Sequence, residues 1–181
     1  MKASESELEN SLLEIPGVQV NKVDGRVYSL GEEAAHLIGY VQSVTAEDLE
    51  NHQDEGYTST SVIGKSGLEL AYEDTLRGID GTEIYIADSN GNKIQELAKQ
   101  DKKDGENITL TIDSSLQAEV YNLMKEDKGL FVIMEPQTGE LLALVSTPSY
   151  DSNDFSLGMT QTQWDELNND EAQPLYNRFL Q

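Results

Sequence analysis

The chain has no cysteine among its 181 residues, which rules out both a disulfide framework and a thiolate metal centre. Basic residues are scarce: 12 Lys and Arg stand against 34 Asp and Glu, for a formal net charge of −22. Phosphates would be repelled with no basic stripe to offset it, so nucleic acid is excluded as a partner and an anionic membrane surface is disfavoured. No run approaches the ~18 apolar residues of a membrane span, and the N-terminus lacks the charged-then-apolar pattern of a signal peptide. There is no HExxH and no Gly-rich phosphate loop, and the two histidines, His36 and His52, each stand alone in their local sequence. No metal and no cofactor is implied. The acidity reads first as a solubilising surface, with calcium or a cationic partner as the alternatives.

What is present suits a modest core. Hydrophobic residues make up 37% of the chain, enough for one mid-sized domain or two small ones. Residues 1–14 are a polar, Ser-rich lead-in. Ile15-Pro16-Gly17 opens a strand at Val18–Val20, and Asp24-Gly25 turns the chain into an extended stretch ending at Leu30. Ser29 with Glu32 gives a capping-box pattern before a short helix, Gly31–Ile38, that Gly39 closes; His36 reads as a packed residue within it. Thr45-Ala46-Glu47-Asp48 starts a second short helix, with Gly56 just past its end. Ser66 caps a third, whose apolar face is Leu68, Tyr72 and Leu76; Arg77 suits its C-terminal dipole and Gly78 follows as its terminating residue.

Gly81–Leu97 reads as a hairpin around Asn90-Gly91, a favoured type I′ pair. Asp88, Asn90 and Asn92 have the opening spacing of an EF-hand, but Lys93 and Lys99 stand where Gly and Glu are required, so turn chemistry prevails. Ala98–Glu106 is charged and marks a boundary. Asn107–Ile112 is a predicted strand, and Asp113 caps a helix, Ser114–Lys125, striped by Leu116, Val120, Leu123 and Met124. The apolar runs Leu130–Met134 and Leu141–Val145 flank a Pro136–Gly139 turn and read as a hairpin buried on both faces. The preceding helix covers one face; nothing in the sequence covers the other. Tyr150–Gly158 reads as loop. Thr160 and Gln163 form a second capping box for a helix with Trp164 and Leu167 that Pro174 ends. Phe179-Leu180-Gln181 carries no stop signal, so a longer parent is expected.

No catalytic set assembles from these residues. Lys65-Ser66-Gly67 imitates the Lys-Thr/Ser-Gly strand triplet of serine acyl-transfer enzymes but precedes a helix, and Ser61 to Lys65 is one residue too long for S-x-x-K. The order of motifs is informative where single motifs are not. Arg26–Tyr40, Ile63–Gly78, Leu110–Gln117, Gln137–Asp151 and Asn177-Arg178 occur in the order and spacing of class B penicillin-binding proteins. The chain resembles most closely their low-affinity group, which contains the methicillin-resistance transpeptidase of staphylococci.

The resemblance spans residues 15–181 and implies part of an extracytoplasmic D,D-transpeptidase that cross-links peptidoglycan. In the family a Ser of S-x-x-K attacks the penultimate D-Ala carbonyl, with Lys as base; S-x-N and Lys-Thr-Gly motifs and a backbone oxyanion hole complete the site. That serine is expected beyond Gln181, so no catalytic residue is assigned here. The resemblance implies an α+β chain in three parts: lead-in 1–14, a small-sheet pedestal or dimerisation domain 15–105, and at 106–181 a helix plus antiparallel hairpin that begin a transpeptidase domain. It implies a membrane-anchored Gram-positive parent linked to β-lactam resistance. Its partners would be the remainder of its transpeptidase domain, other cell-wall synthesis proteins and a second copy. The family-motif positions, structural in role, are Arg26, Tyr28, Gly64, Gly67, Glu69, Tyr72, Arg77, Gly78, Asp113, Gly139, Pro148, Asn177 and Arg178. Glu69 and Arg77, eight residues apart, are too distant for a helical pair and are expected to hold neighbouring backbone or loops. A free-standing acidic interaction module is the competing reading.

Overall fold

Polar caps and glycines set where the elements begin and end. In the computed structural model, which describes residues 11–19 and 25–180, a 3-10 turn at Gly31–Glu33 leads into α1 (Ala35–Ile38). Gly39, at φ 82°, turns the chain out of α1 into β1 (Val41–Ser43). Thr45 and Asp48 make a complete capping box for α2 (Ala46–Asn51). β2 (Val62–Gly64) returns antiparallel to β1, and α3 (Gly67–Ala71) and α4 (Glu73–Leu76) follow. Then comes a hairpin of β3 (Thr82–Ala87) and β4 (Lys93–Gln100). The Asp113 carboxylate accepts from the Ser115 and Leu116 N–H groups, 2.9 Å each, and starts α5 (Ser114–Met124). β5 (Gly129–Met134) and β6 (Leu141–Thr147) form the second hairpin; α6 (Ser152–Leu157) and α7 (Gln161–Asn169) complete the order. Among the described residues, three two-stranded antiparallel sheets separated by short helices make this an α+β fold.

The core joins distant parts of the sequence. Ala35 of α1 packs with Tyr150 and Phe155, and Tyr40, Met159, Leu167 and Leu175 close around them. Tyr40 stacks on Phe155 at 4.2 Å. α5 lies on β6, whose Ala143, Val145 and Thr147 are buried. Gln117 does there what a strand would do: its amide accepts from Leu144 N–H and donates to Leu144 C=O, each at 2.8 Å, so the outer edge of β6 is satisfied. β5 keeps its outer edge, and Leu130, Val132 and Met134 lie exposed along one face.

Several expectations change in detail. The Leu68–Tyr72–Leu76 stripe is not a buried face, because the helix breaks at Tyr72 (φ −117°, ψ 24°) into α3 and α4 and leaves Tyr72 exposed. The buried residue of α3 is Glu69. Gly78 does not end α4 in a left-handed conformation; it is a point of contact, where a Cβ would lie 2.3 Å from the Lys103 carbonyl oxygen. Ser29 caps nothing: the residue preceding the 3-10 turn is Leu30, without a side-chain cap. On α5 the buried positions are Gln117 and Tyr121, while Leu123 is 70% exposed. Leu116, Val120 and Met124 of the expected stripe are half-buried, and the fully buried positions go to polar groups serving β6 and residues 32–33.

Asn107–Ile112 is not a strand. Asp113 N–H donates to Leu142 C=O and Thr111 Oγ1 to Leu141 C=O, so only the end of this segment touches β6. The β3–β4 connection is not type I′, since only Gly91 (φ 85°) is left-handed; Asp88 accepts from Asn90 and Asn92 N–H and holds the loop by its side chain. That use of Asp88 also disposes of the EF-hand spacing. α2 ends at Asn51 and α7 at Asn169, short of Gly56 and Pro174. Residues 150–158 hold α6 rather than loop, capped by Asp151 on the Asn153 N–H at 2.8 Å and anchored by buried Ser152 and Phe155. Val18 and Gln19 have no strand structure; Val20 and Asp24 lie outside the described residues.

Candidate functional site

Residues 26–41 are the place where the two ends of the sequence meet. Arg26 grips Glu69 with Nε on Oε1 at 2.9 Å and Nη2 on Oε2 at 3.2 Å, a forked pair. The Tyr28 hydroxyl donates to Glu69 Oε1 at 3.2 Å and accepts from Val41 N–H at 2.9 Å. Burial pushes the Tyr28 phenol up to about 12, so it remains a neutral donor. Tyr28, on extended chain before the 3-10 turn, thus ties α3 to β1.

Glycine contacts place Glu69 under that tyrosine. At Gly64 a Cβ would stand 2.2 Å from the Glu69 carbonyl oxygen, so the end of β2 lies directly on α3 backbone. Gly67 (φ 57°) and Gly39 face each other: a Cβ on Gly39 would come within 1.8 Å of Ser66 O. Only hydrogen fits where the end of α1 crosses the start of α3.

From the other side, residues 113–179 reach the same segment. The Asn153 side chain accepts from Tyr28 N–H and donates to Tyr28 C=O, both at 2.9 Å. Ser156 donates to Val41 C=O at 3.0 Å, and Gln117 adds a bond to Glu33 C=O at 2.7 Å. The Tyr121 hydroxyl donates to Glu32 at 2.8 Å. Asn177 Nδ2 donates to His36 C=O at 3.0 Å, and Arg178 N–H to Ser146 Oγ at 3.2 Å. His36 itself is buried edge-on to Tyr150 at 5.1 Å; burial lowers its pKa, and Nε2 has no partner. Two helices of the C-terminal half, α5 and α6, and the segment at Asn177 hold residues 26–41 by specific polar contacts.

The remaining motif positions serve other purposes. The Arg77 guanidinium lies 3.5 Å over the Tyr57 ring and donates to Glu55 C=O at 2.6 Å. Tyr57 in turn donates to Glu73, which accepts from Gly64 N–H, so this second cluster abuts the first. Lys65 is tied to both Asp48 oxygens at 2.5 and 2.7 Å, a structural use of the residue that imitated a catalytic triplet. Asp113 is a helix cap, Gly139 (φ 81°) closes the β5–β6 turn, and Pro148 follows a cis bond after Thr147. The Arg178 guanidinium donates to the carbonyls of Ala172, Gln173 and Tyr176.

Arg26, Tyr28 and Glu69 therefore come together, while Tyr72, Asp113 and Gly139 lie apart. Asn153, Gln117, Tyr121 and Ser156 are contributors that the sequence did not single out, and Gly39, expected as a helix end, is also a close backbone crossing. The Asp-x-Asn run at 151–153, read there as loop, was the available signal for one of them. Among the described residues no group of His, Asp and Glu is arranged to hold a metal ion, and no helix is long and apolar enough to cross a membrane. The geometry is that of a polar joint: buried, hydrogen-bonded and without a nucleophile beside a base.

Residues 2–110 match the family model of the penicillin-binding protein dimerisation domain. The chain is 41% identical over 179 residues to penicillin-binding protein 3 of Bacillus subtilis, covering 99% of itself and 26% of that protein. It is 38% identical over 170 residues to the peptidoglycan D,D-transpeptidase MrdA of Escherichia coli K12, covering 92% of itself and 27% of the relative. It thus spans about a quarter of the length of these relatives. Among solved structures it resembles the Helicobacter pylori PBP2 of a complex with MreC, with a TM-score of 0.79, 30% identity, and 96% of this chain and 32% of that one covered. Pseudomonas aeruginosa PBP2 gives 0.68 at 35% identity, covering 85% and 30%. The chain belongs to the class B penicillin-binding proteins, and residues 2–110 are their dimerisation domain.

Proposed function

We propose that this chain is the non-catalytic pedestal of a peptidoglycan D,D-transpeptidase and that residues 26–41 couple it to the catalytic domain. The carrying observation is Tyr28, whose hydroxyl is held by Glu69 of α3 while Asn153 of α6 grips its backbone on both sides. In this reading residues 15–105 are the pedestal and 106–181 begin the transpeptidase domain. The exposed outer edge of β5 and its Leu130, Val132 and Met134 receive the remaining strands of that domain. The parent protein is anchored in the membrane and works on its outer face. A cell-wall partner docks on it, as MreC does on the H. pylori relative.

The test is a hybrid in which this chain replaces the matching quarter of the B. subtilis relative. The hybrid should form a covalent adduct with fluorescent penicillin, whereas this chain alone should form none. Tyr28→Ala or Asn153→Ala in the hybrid should slow acylation while the catalytic motifs are untouched. Adduct on the isolated chain, or a folded hybrid whose acylation ignores both substitutions, would overturn the reading.

A further inference from the structure

The β3–β4 hairpin stands out from the rest of the surface. Every residue of both strands is exposed, including Ile84 at 57%, Tyr85 at 46% and Ile86 at 45%. Among the described residues neither outer edge of this hairpin pairs with another strand. The hairpin is also nearly neutral: residues 82–100 carry Glu83, Asp88 and Glu96 against Lys93 and Lys99, in a chain of net −22. Lys93 is paired with Glu83 and Glu96, and Asp88 is taken up by its own turn.

The two edges differ. Ile84, Tyr85, Ile86 and Ala87 face Ala98, Glu96, Gln95 and Lys93, so Leu97 and Ile94 are extra residues that bulge β4. Bulges and the charges Lys93, Glu96 and Lys99 are the devices that keep an edge strand from pairing. β3 runs unbulged as Thr-Glu-Ile-Tyr-Ile-Ala, and its single charge, Glu83, is paired with Lys93. Its core is also a palindrome. An antiparallel copy centred on Tyr85 sets Ile84 against Ile86 of the second copy, Tyr85 against Tyr85, and Glu83 against Ala87, with no like charges opposed. A two-fold interface demands such self-complementarity, and aromatic and β-branched cross-strand pairs reward it.

We infer that β3 is the dimerisation edge of this chain, pairing with β3 of a second copy to give a four-stranded sheet in the order β4–β3–β3–β4. This deepens the family reading, which supplies the expectation of a dimer but no surface. The two −22 molecules repel elsewhere, so association tightens as salt rises, the reverse of a charge-complementary contact.

Sedimentation of the whole chain at 50 and 500 mM NaCl tests it. A reversible dimer is expected, with a Kd several-fold lower at the higher salt, and Ile84→Lys should raise that Kd at least ~10-fold, since it sets a lysine against Ile86 of the other copy at both ends of the pairing. Ile84 is solvent-exposed, so the variant keeps its fold. The absence of native cysteine supplies a geometric check. Residues paired across antiparallel strands have Cα atoms about 4.5–5.5 Å apart, within disulfide range, so Tyr85→Cys should oxidise to a covalent dimer and Ile94→Cys should not. A monomer at both salts, dimer unaffected by Ile84→Lys, or crosslinking by Ile94→Cys alone would overturn the inference. The same result with a strand from another protein on β3 would also overturn it. None of these readouts involves acylation, so they fail or succeed independently of the pedestal assignment.

Discussion

At the scale of single residues, Arg26 and Tyr28 share one buried carboxylate, Glu69. Arg26 is 43% exposed at its side chain but Glu69 only 6%, so breaking the pair returns Arg26 to water and leaves a buried carboxylate without its cation. The Tyr28 hydroxyl is buried and satisfies Val41 N–H and Glu69 together. Tyr28→Phe keeps the ring but leaves both without it, and should cost about 1–3 kcal/mol. For a chain of this size that lowers Tm by roughly 2–4 °C per kcal/mol, whereas Arg26→Ala should cost more, because it leaves the buried Glu69 charge without its cation. Equal losses in thermal unfolding would contradict this ranking. Asn153 offers a sharper contrast. Its amide gives one acceptor and one donor to the Tyr28 backbone, while Nδ2 also donates to Asp151 Oδ1 at 2.7 Å. Asn153→Asp keeps the size, deletes the donor and sets a carboxylate against the Tyr28 carbonyl and the Asp151 carboxylate. It should therefore destabilise more than Asn153→Ala, measured by urea midpoint at constant slope.

Glycine crossings at the scale of elements make the same distinction between strain and space. Gly91 has φ 85° with nothing within 4 Å of a would-be Cβ, so Gly91→Ala should cost only the left-handed penalty of about 1–2 kcal/mol. Gly39 has a similar φ of 82°, but its Cβ would overlap Ser66 O at 1.8 Å, and α1 cannot move without releasing the aromatic cluster. Gly39→Ala should lose well over ~4 kcal/mol, the range reserved for disrupted packing; a folded variant with normal Tm would refute the crossing. The sequence carried the positions of these glycines but not their reasons, because close backbone approach involves residues far apart in the chain. Three caps were legible for the opposite reason, although Ser29 and Ser66, expected to cap as well, make no side-chain cap bond. Thr45, Asp113 and Thr160 act on N–H groups two or three residues away, and all three cap as their local patterns indicate. Apolar stripes on Leu68–Leu76 and on α5 misled, because the faces that pack there are served by Glu69, Gln117 and Tyr121, polar residues chosen for partners up to 89 positions away. Asn153 was hidden for the same reason.

Across the whole molecule, buried titratable groups should shape stability against pH despite the large surface charge. Above pH 10 the direction is set by Tyr28, Tyr57 and Tyr150, each raised to about 12 chiefly by burial. A raised folded value means their contribution is complete below ~10 and is lost as pH climbs from about 10 to 12. On the acid side, hydrogen bonds from Lys65 and Thr45 depress Asp48, so its contribution is present above the ordinary carboxylate range and disappears below it. Between these limits lies His36. Its folded pKa is lowered by desolvation, so below ~6.5 the unfolded chain takes up a proton that the folded chain refuses. Stability must then fall as pH drops from about 6.5 toward the folded value and level off beneath it. Nε2 makes no hydrogen bond, and the Pro148 and Pro174 carbonyls beside the ring offset only part of the cost of burying an imidazolium against Tyr150 and Phe179. Denaturant titrations at successive pH values should show this step in the native chain and not in His36→Gln, which stays uncharged throughout. If the slope between pH 6.5 and 5 persists in that variant, the carboxylates are responsible and the buried imidazole is not.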